Sequence, residues 1–469
     1  MRNRLFSFVL TMMLPLFSVV SLFAGPQVIP APKSAEMTEV VFNKKNIDKV
    51  KYVNSKEIPS ESYELHIKKN RIEVKFSDEA GRFYAQQTLK QLADADVMYC
   101  GVIKDEPRYQ WRGLMLDEAR HFFGKAQVKE ILDLMARYKL NRFHWHLSDD
   151  QGWRVEIKAY PELCSVGGIG CYSDSKKPAQ FYTQDEIREI IAYAAERHIE
   201  VIPEIDMPGH ATAFIKTFPH LDGGHRSVNP ANPELYVVLE TIMKELADLF
   251  PGRYIHIGGD EVSTRGWRQH QDIPAFMEKE GIASYGDIQK HFERRLSAIV
   301  SATGKTVIAW DDVIDSGMSN ETTVLHWWRS DHPETLDKCL QFGYKTIISP
   351  WDPFYLDYVQ DIRCKEGHLV WKSWVNGIDE IYGYELREDP NVIGVQSNLW
   401  SERIRTCDRL EYMIFPRLIA LAERAWTPES NLDYENFLKR LEKEYIYLDS
   451  IDVFYYDFRD FDRHQEPLK

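Results

Sequence analysis

From Tyr109 to Gln396 the chain repeats one pattern eight times: a short apolar run closes on polar or aromatic residues, and an amphipathic stretch often follows. The runs are Gly113 to Leu116, Arg142 to Leu147, Glu200 to Ile205, Tyr254 to Ile257, Thr306 to Trp310, Thr323 to Trp327, Lys345 to Ser349 and Val392 to Gln396. Lys125 to Tyr138, Gln184 to Arg197, Pro233 to Leu249, Tyr285 to Ala302 and Pro333 to Phe342 carry apolar residues at helical spacing between them. Strands that alternate with helices build a parallel sheet, and eight such units predict a closed (β/α)8 TIM barrel, an α/β fold. The seventh unit departs from the pattern, because residues 350 to 385 read as a long loop rich in Trp, Tyr and Asp.

In such a barrel the active site forms at the C-terminal ends of the strands. That rule gathers a lopsided set here. Asp117 and Arg120 follow the first run, Asp149 and Asp150 the second, Asp206 and His210 the third, and Asp260 and Glu261 the fourth. Trp310, Asp311 and Asp312 close the fifth, Trp327 and Trp328 the sixth, Trp351 to Asp357 follow the seventh, and Trp400 with Glu402 the eighth. A single tryptophan belongs to a core more often than to a pocket wall. Tryptophans at four consecutive strand ends, set among carboxylates, instead describe apolar walls and acceptors suited to a sugar ring.

Residues 256 to 262 read His-Ile-Gly-Gly-Asp-Glu-Val. The two glycines remove side-chain bulk at the end of an apolar run, so something can approach the backbone closely there. Adjacent strand residues point to opposite faces, and Asp260 and Glu261 reach one ligand only if the strand ends or bulges at that point. An isolated acidic pair is most often a surface turn. Placed after the fourth of eight runs, this pair becomes the candidate catalytic centre.

The 469 residues carry a net charge of −14 without a basic run or patch, which argues against nucleic acid or an anionic membrane as partner. Twelve Trp and 24 Tyr supply rings for apolar sugar faces as well as for the core. Arg2 and Arg4 precede an apolar run from Leu5 to Ala24, followed by Gly25 and Pro26, so residues 1–24 read as a secretory signal peptide and the protein as exported to the periplasm or beyond the cell. No later stretch is apolar enough to span a bilayer. Residues 25–106 read as a small α+β domain, with Tyr63 to Ile67 and Arg71 to Phe76 alternating like half-buried strands and a helix from Glu79 to Ala93. The barrel takes residues 107–430, and 431–469 form a terminal helix (Tyr434 to Tyr447) and an aromatic, acidic tail. Six scattered Cys make no disulfide framework, although Cys164 and Cys171 flank a glycine-rich stretch that a bridge could close.

Four segments, Trp111 to Asp117, His144 to Arg154, Pro203 to His210 and His256 to Glu261, resemble in order those of the family 20 glycoside hydrolases, the β-N-acetylhexosaminidases. The resemblance covers about residues 27 to 430 and implies exo-acting hydrolysis of terminal β-linked N-acetylhexosamine from an oligosaccharide or glycoconjugate, without a cofactor. It also implies a retaining mechanism in which the substrate's own 2-acetamido oxygen attacks the anomeric carbon. The residues agree, since neighbours in sequence do not easily flank a glycosidic bond from opposite sides as an ordinary retaining pair must.

By this resemblance Glu261 is the general acid and later the base, with a raised pKa supplied by apolar surroundings and the Asp260 charge. Asp260 holds the acetamido N–H. Arg112 grips hydroxyls at the non-reducing end, Glu402 and Asp357 accept from the others, Tyr355 reaches the acetamido carbonyl, and Trp310, Trp328 and Trp400 form the walls. Asp149 and His210 orient Glu261. Trp327 competes with Trp328 for its place. A metal site at His210, His256, Asp260 and Glu261 has no established ligand spacing behind it, and a sugar-binding protein without turnover has no need of the intact acidic pair. Oligomeric state and the choice between N-acetylglucosamine and N-acetylgalactosamine are not set by these residues.

Overall fold

A computed structural model describes residues 25–368 and 374–468. The expected signal peptide lies outside these residues. Among the described residues no helix is long and apolar enough to cross a membrane.

The N-terminal part is a five-stranded sheet in the spatial order Ser34–Val41, Tyr99–Asp105, Tyr63–Lys68, Arg71–Phe76, Val50–Asn54. Tyr63–Lys68 and Arg71–Phe76 form an antiparallel hairpin, and their alternating burial is the period of two expected of strands with one face covered. The cover is the helix Glu79–Asp94, capped by Asp78, whose side chain accepts from the Gly81 N–H. Tyr84, Ala85, Leu89 and Leu92 of this helix pack with Leu65 and Val74 of the sheet, and Trp426, at the end of the helix Arg417–Trp426, completes the cluster.

Eight parallel strands close the barrel: β1 (Trp111–Asp117), β2 (Arg142–His146), β3 (Glu200–Glu204), β4 (Tyr254–His256), β5 (Thr306–Trp310), β6 (Thr323–Trp327), β7 (Lys345–Ile348) and β8 (Val392–Leu399). Closure is made by β8 against β1, with Gln396 opposite Gly113. Each strand coincides with one of the eight apolar runs, with boundaries shifted by up to three residues. Among the described residues between β7 and β8, the helices are the short Trp351–Phe354 and Ile378–Gly383, in keeping with the loop expected there. The helix Tyr434–Ser450 buries Phe437, Leu441, Tyr445 and Leu448 in the main core. Its Arg440 pairs with Glu423 and its Glu444 with Arg137, so the C-terminal segment belongs to the barrel's outer layer.

The fold closes one open possibility and corrects one expectation. Cys164 and Cys171 are not bridged; both thiols are free, with Cys164 Sγ directed to Val155 O and Cys171 Sγ to the Ser173 hydroxyl. Arg112 is not in the pocket. It is the second residue of β1, at the end of the barrel opposite the C-terminal strand ends, and is fully buried against the N-terminal sheet and helix. Its guanidinium donates to Glu61 Oε2 at 2.8 Å, the Tyr84 hydroxyl at 3.0 Å, Lys139 O at 2.8 Å and Tyr109 O at 2.7 Å. All three guanidinium nitrogens donate to protein groups, so Arg112 joins the two parts of the chain.

Candidate active site

A cavity of about 440 Å³ opens at the C-terminal ends of the strands, within the range of small-ligand sites. The catalytic pair enters it because β4 stops after three residues. Gly258 and Gly259 follow with φ of +70° and +100°. A Cβ on Gly258 would stand 1.8 Å from Asp206 Oδ1, and one on Gly259 2.5 Å from Val313 Cγ1, so neither position admits a side chain. The turn they make sends Asp260 and Glu261 to the same cavity, Asp260 buried at 8% exposure and Glu261 with 55% of its side chain exposed. Glu261 itself sits at φ +51°, a strained conformation for a non-glycine residue.

Asp149 and His210 meet as expected. Asp149 Oδ1 faces His210 Nδ1 at 3.2 Å, and His210 Nε2 lies 3.5 Å from Glu261 Oε2 and 3.8 Å from Asp260 Oδ2. Asp149 holds the imidazole's pKa well above its ordinary value, so His210 carries charge. That cation and its hydrogen bonding lower the Glu261 pKa against a partial burial that would raise it. The raised value expected of Glu261 is therefore absent in the open pocket, where its exposure leaves His210 the larger effect. Asp260 takes the upward shift instead: burial pushes it to about 7, opposed by His210 and aided by Asp312, Glu204 and Glu261. Asp260 Oδ1 is buried without a hydrogen-bond partner and is free to accept one from a ligand.

The walls are built as the strand ends predict. Trp310 forms the floor, its indole N–H donating to Glu204 Oε1 at 2.9 Å. Trp400 stands at 5.9 Å from it, and Tyr355 lies 6.1 Å from Trp400 and parallel to Trp328 at 6.2 Å. Trp328, not Trp327, lines the cavity; Trp327 turns into the core. Asp357 and Glu402 complete the polar side, both raised in pKa chiefly by burial.

Arg120 occupies the place expected of Arg112. It follows β1, lines the cavity, and lies 2.7 Å from Asp149 Oδ2, 3.3 Å from Asp117 Oδ2 and 3.9 Å from Glu402 Oε1, over the Trp400 ring. Its position after the first run was the signal in the sequence that finds it. At the mouth, Trp351, Tyr358 and Trp374 form parallel stacked rings with centroids 4.9 to 6.3 Å apart. These come from the aperiodic loop after β7, where only composition marks them.

Of the four groups considered for a metal, His210, Asp260 and Glu261 line the cavity and His256 does not. His256 lies with His144 and His326 in a buried imidazole cluster, while His210 and Asp260 gather with Asp206.

Residues 109–429 match the family described as "Glycosyl hydrolase family 20, catalytic domain", and residues 33–106 match "Glycosyl hydrolase family 20, domain 2". The chain belongs to glycosyl hydrolase family 20. Among family 20 relatives, a beta-hexosaminidase of Porphyromonas gingivalis is 34% identical over 431 residues, covering 85% of this chain and 55% of the relative. One of Vibrio furnissii is 37% identical, covering 77% and 64%. The chain thus spans less than two thirds of the length of these two relatives. A beta-hexosaminidase of Akkermansia muciniphila is 31% identical over 450 residues, with 88% of each chain covered. The crystal structure of a family 20 exo beta-N-acetylglucosaminidase of Vibrio harveyi in complex with N-acetylglucosamine superposes with a TM-score of 0.86 at 32% identity, covering 92% of this chain and 78% of that one.

Proposed function

We propose that the protein removes terminal β-linked N-acetylhexosamine from oligosaccharides or glycoconjugates with retention of configuration, using the substrate's acetamido group as nucleophile. The observation that carries this reading is the delivery of Asp260 and Glu261 by one two-glycine turn into one Trp-walled cavity. Side by side, the two carboxyls do not flank a glycosidic bond as an acid and an enzyme nucleophile would. A nucleophile within the substrate removes that need.

In the first step the acetamido oxygen bonds to the anomeric carbon as the glycosidic C–O bond breaks, and Glu261 gives its proton to the departing oxygen. Asp260 Oδ1 accepts the acetamido N–H and offsets the positive charge that forms on the five-membered ring. Tyr355 reaches the acetamido carbonyl. In the second step Glu261 takes a proton from water, which opens the ring at the anomeric carbon and restores the acetamido group. Asp149 fixes His210, and His210 places Glu261.

Arg120, Asp357 and Glu402 supply donors and acceptors for ring hydroxyls. The closed floor at Trp310 favours attack at a chain end, and the stacked Trp351, Tyr358 and Trp374 at the mouth suit the sugar that leaves. Export through the apolar N-terminal run would place the enzyme where such glycans are found.

The deciding experiment follows an aryl β-N-acetylglucosaminide and its galactosaminide counterpart by proton NMR. The β-anomer of the free sugar should appear first. The α-anomer first, or no release while the sugar binds, would overturn the reading.

A further inference from the structure

Behind the catalytic turn lies a carboxyl group that the steps above do not use. The helix Tyr285–Ala302 turns Ile288, Phe292, Leu296 and Val300 to the core at helical spacing, and Glu293 is buried beside them. Glu293 has no exposure, and its carboxyl oxygens make no hydrogen bond of normal geometry, with the Gln289 amide lying against them. A buried acid in this state costs stability that an apolar side chain of the same size would not, so packing does not account for it.

Its location does. A Cβ on Gly259 would stand 3.1 Å from Glu293 Oε1, so the carboxyl sits directly behind that glycine. One helical turn earlier, Gln289 Nε2 donates to Gly259 O at 2.8 Å, and the same side chain lies against the Glu293 carboxyl. Two side chains of one helix therefore grip, from behind, the residue that aims Asp260 into the cavity. The charged groups facing Glu293 are Asp260 on the turn after β4 and Asp312 after β5. Both are acidic and add to the effect of burial, which pushes the Glu293 pKa well above the carboxylate range and keeps it neutral.

We propose that Glu293 is a positioning residue for Asp260: with Gln289 it backs the Gly258-Gly259 turn and holds the Asp260 carboxylate where the substrate's acetamido group meets it. This rests on the role given to Asp260 above.

Full-length Glu293→Gln and Glu293→Leu variants test it. Gln keeps shape and polarity without charge and should retain kcat within about threefold. Leu fills the same volume and removes the buried acid, so it should melt at a higher temperature yet lose about tenfold or more in kcat with KM within about twofold. The loss should be equal for good and poor leaving groups, since alignment of the acetamido group, not proton donation, is impaired. A Leu variant as active as wild type, or Gln and Leu variants equally impaired, would overturn the proposal. If the wild type itself hydrolyses no aryl β-N-acetylhexosaminide, the functional reading fails instead. The role of Glu293, which rests on that reading, then falls with it.

Discussion

His210 Nε2 stands 3.5 Å from Glu261 Oε2, while its Nδ1 faces Asp149 Oδ1 at 3.2 Å. The imidazole is charged because Asp149, fully buried and itself tied to Arg120 and His146, stabilises that form. Replacing the charge should therefore act on Glu261 through His210. Asp149→Asn is expected to lower kcat by about tenfold to a hundredfold, with a smaller change in KM. It should also raise the apparent pKa of Glu261, because the cation that lowers it is lost. A pH profile identical to wild type would show that Asp149 does not control the acid.

The pair's own titration gives the second prediction. In the free enzyme the Glu261 pKa is lowered from its ordinary value and that of Asp260 is raised to about 7, so in weak acid below about 7 the pair keeps one proton, held mainly by Asp260. The reaction needs that proton on Glu261. The acetamido N–H, donated to Asp260, favours its ionised form and moves the proton across. Raising the pH through about 7 removes the last proton, so kcat/KM should be highest in weak acid and fall above pH of about 7. Asp260→Asn should lower the rate and shift this alkaline limb to lower pH, since Glu261 alone then remains to lose a proton. A limb left in place would assign it to another group.

The third prediction separates the two carboxyls by leaving group. Glu261→Gln should lose far more kcat/KM on poor leaving groups than on activated aryl glycosides, which need little protonation. Asp260→Asn should weaken both alike. Equal losses in the Glu261→Gln variant would remove Glu261 from the role of acid.

The barrel was legible because each strand is an uninterrupted apolar run bounded by polar residues; Thr306–Trp310 and Thr323–Trp327 coincide with their runs to the residue. Trp310, which ends the first of these, and Trp328, just past the second, line the cavity with side chains that follow β3, β4 and β8, since strand ends are fixed once the strands are. Three things were not legible. Arg112 and Arg120 are eight residues apart with a strand between them, and the contact that claims Arg112, with Glu61, joins residues distant in sequence. The Glu261 pKa depends on its exposure and on the distance to His210, neither of which a motif contains. Glu293 falls on a helix whose pattern marks its apolar neighbours, while the glycine it backs lies in another unit of the barrel.

The two arginines supply the last prediction. Arg112 is fully buried, with its guanidinium 5.0 Å from the Trp426 ring and donors spent on Glu61, Tyr84, Lys139 and Tyr109. Removing it strands the acceptors it satisfies and leaves a void between sheet and barrel. Arg112→Ala should cost about 3 kcal/mol of stability, seen as a lower melting temperature, while the kcat and KM of the folded fraction stay near wild type. Arg120 does the reverse. It lies in the cavity among Asp149, Glu402 and Trp400, where its charge also helps keep Asp149 ionised. Arg120→Ala should cut kcat/KM by about a hundredfold or more, and Arg120→Lys should recover little of it, because a point charge does not replace a planar fork of donors. Melting curves and steady-state kinetics on both variants decide between them: a kinetic defect confined to Arg112→Ala would return the binding role to that residue.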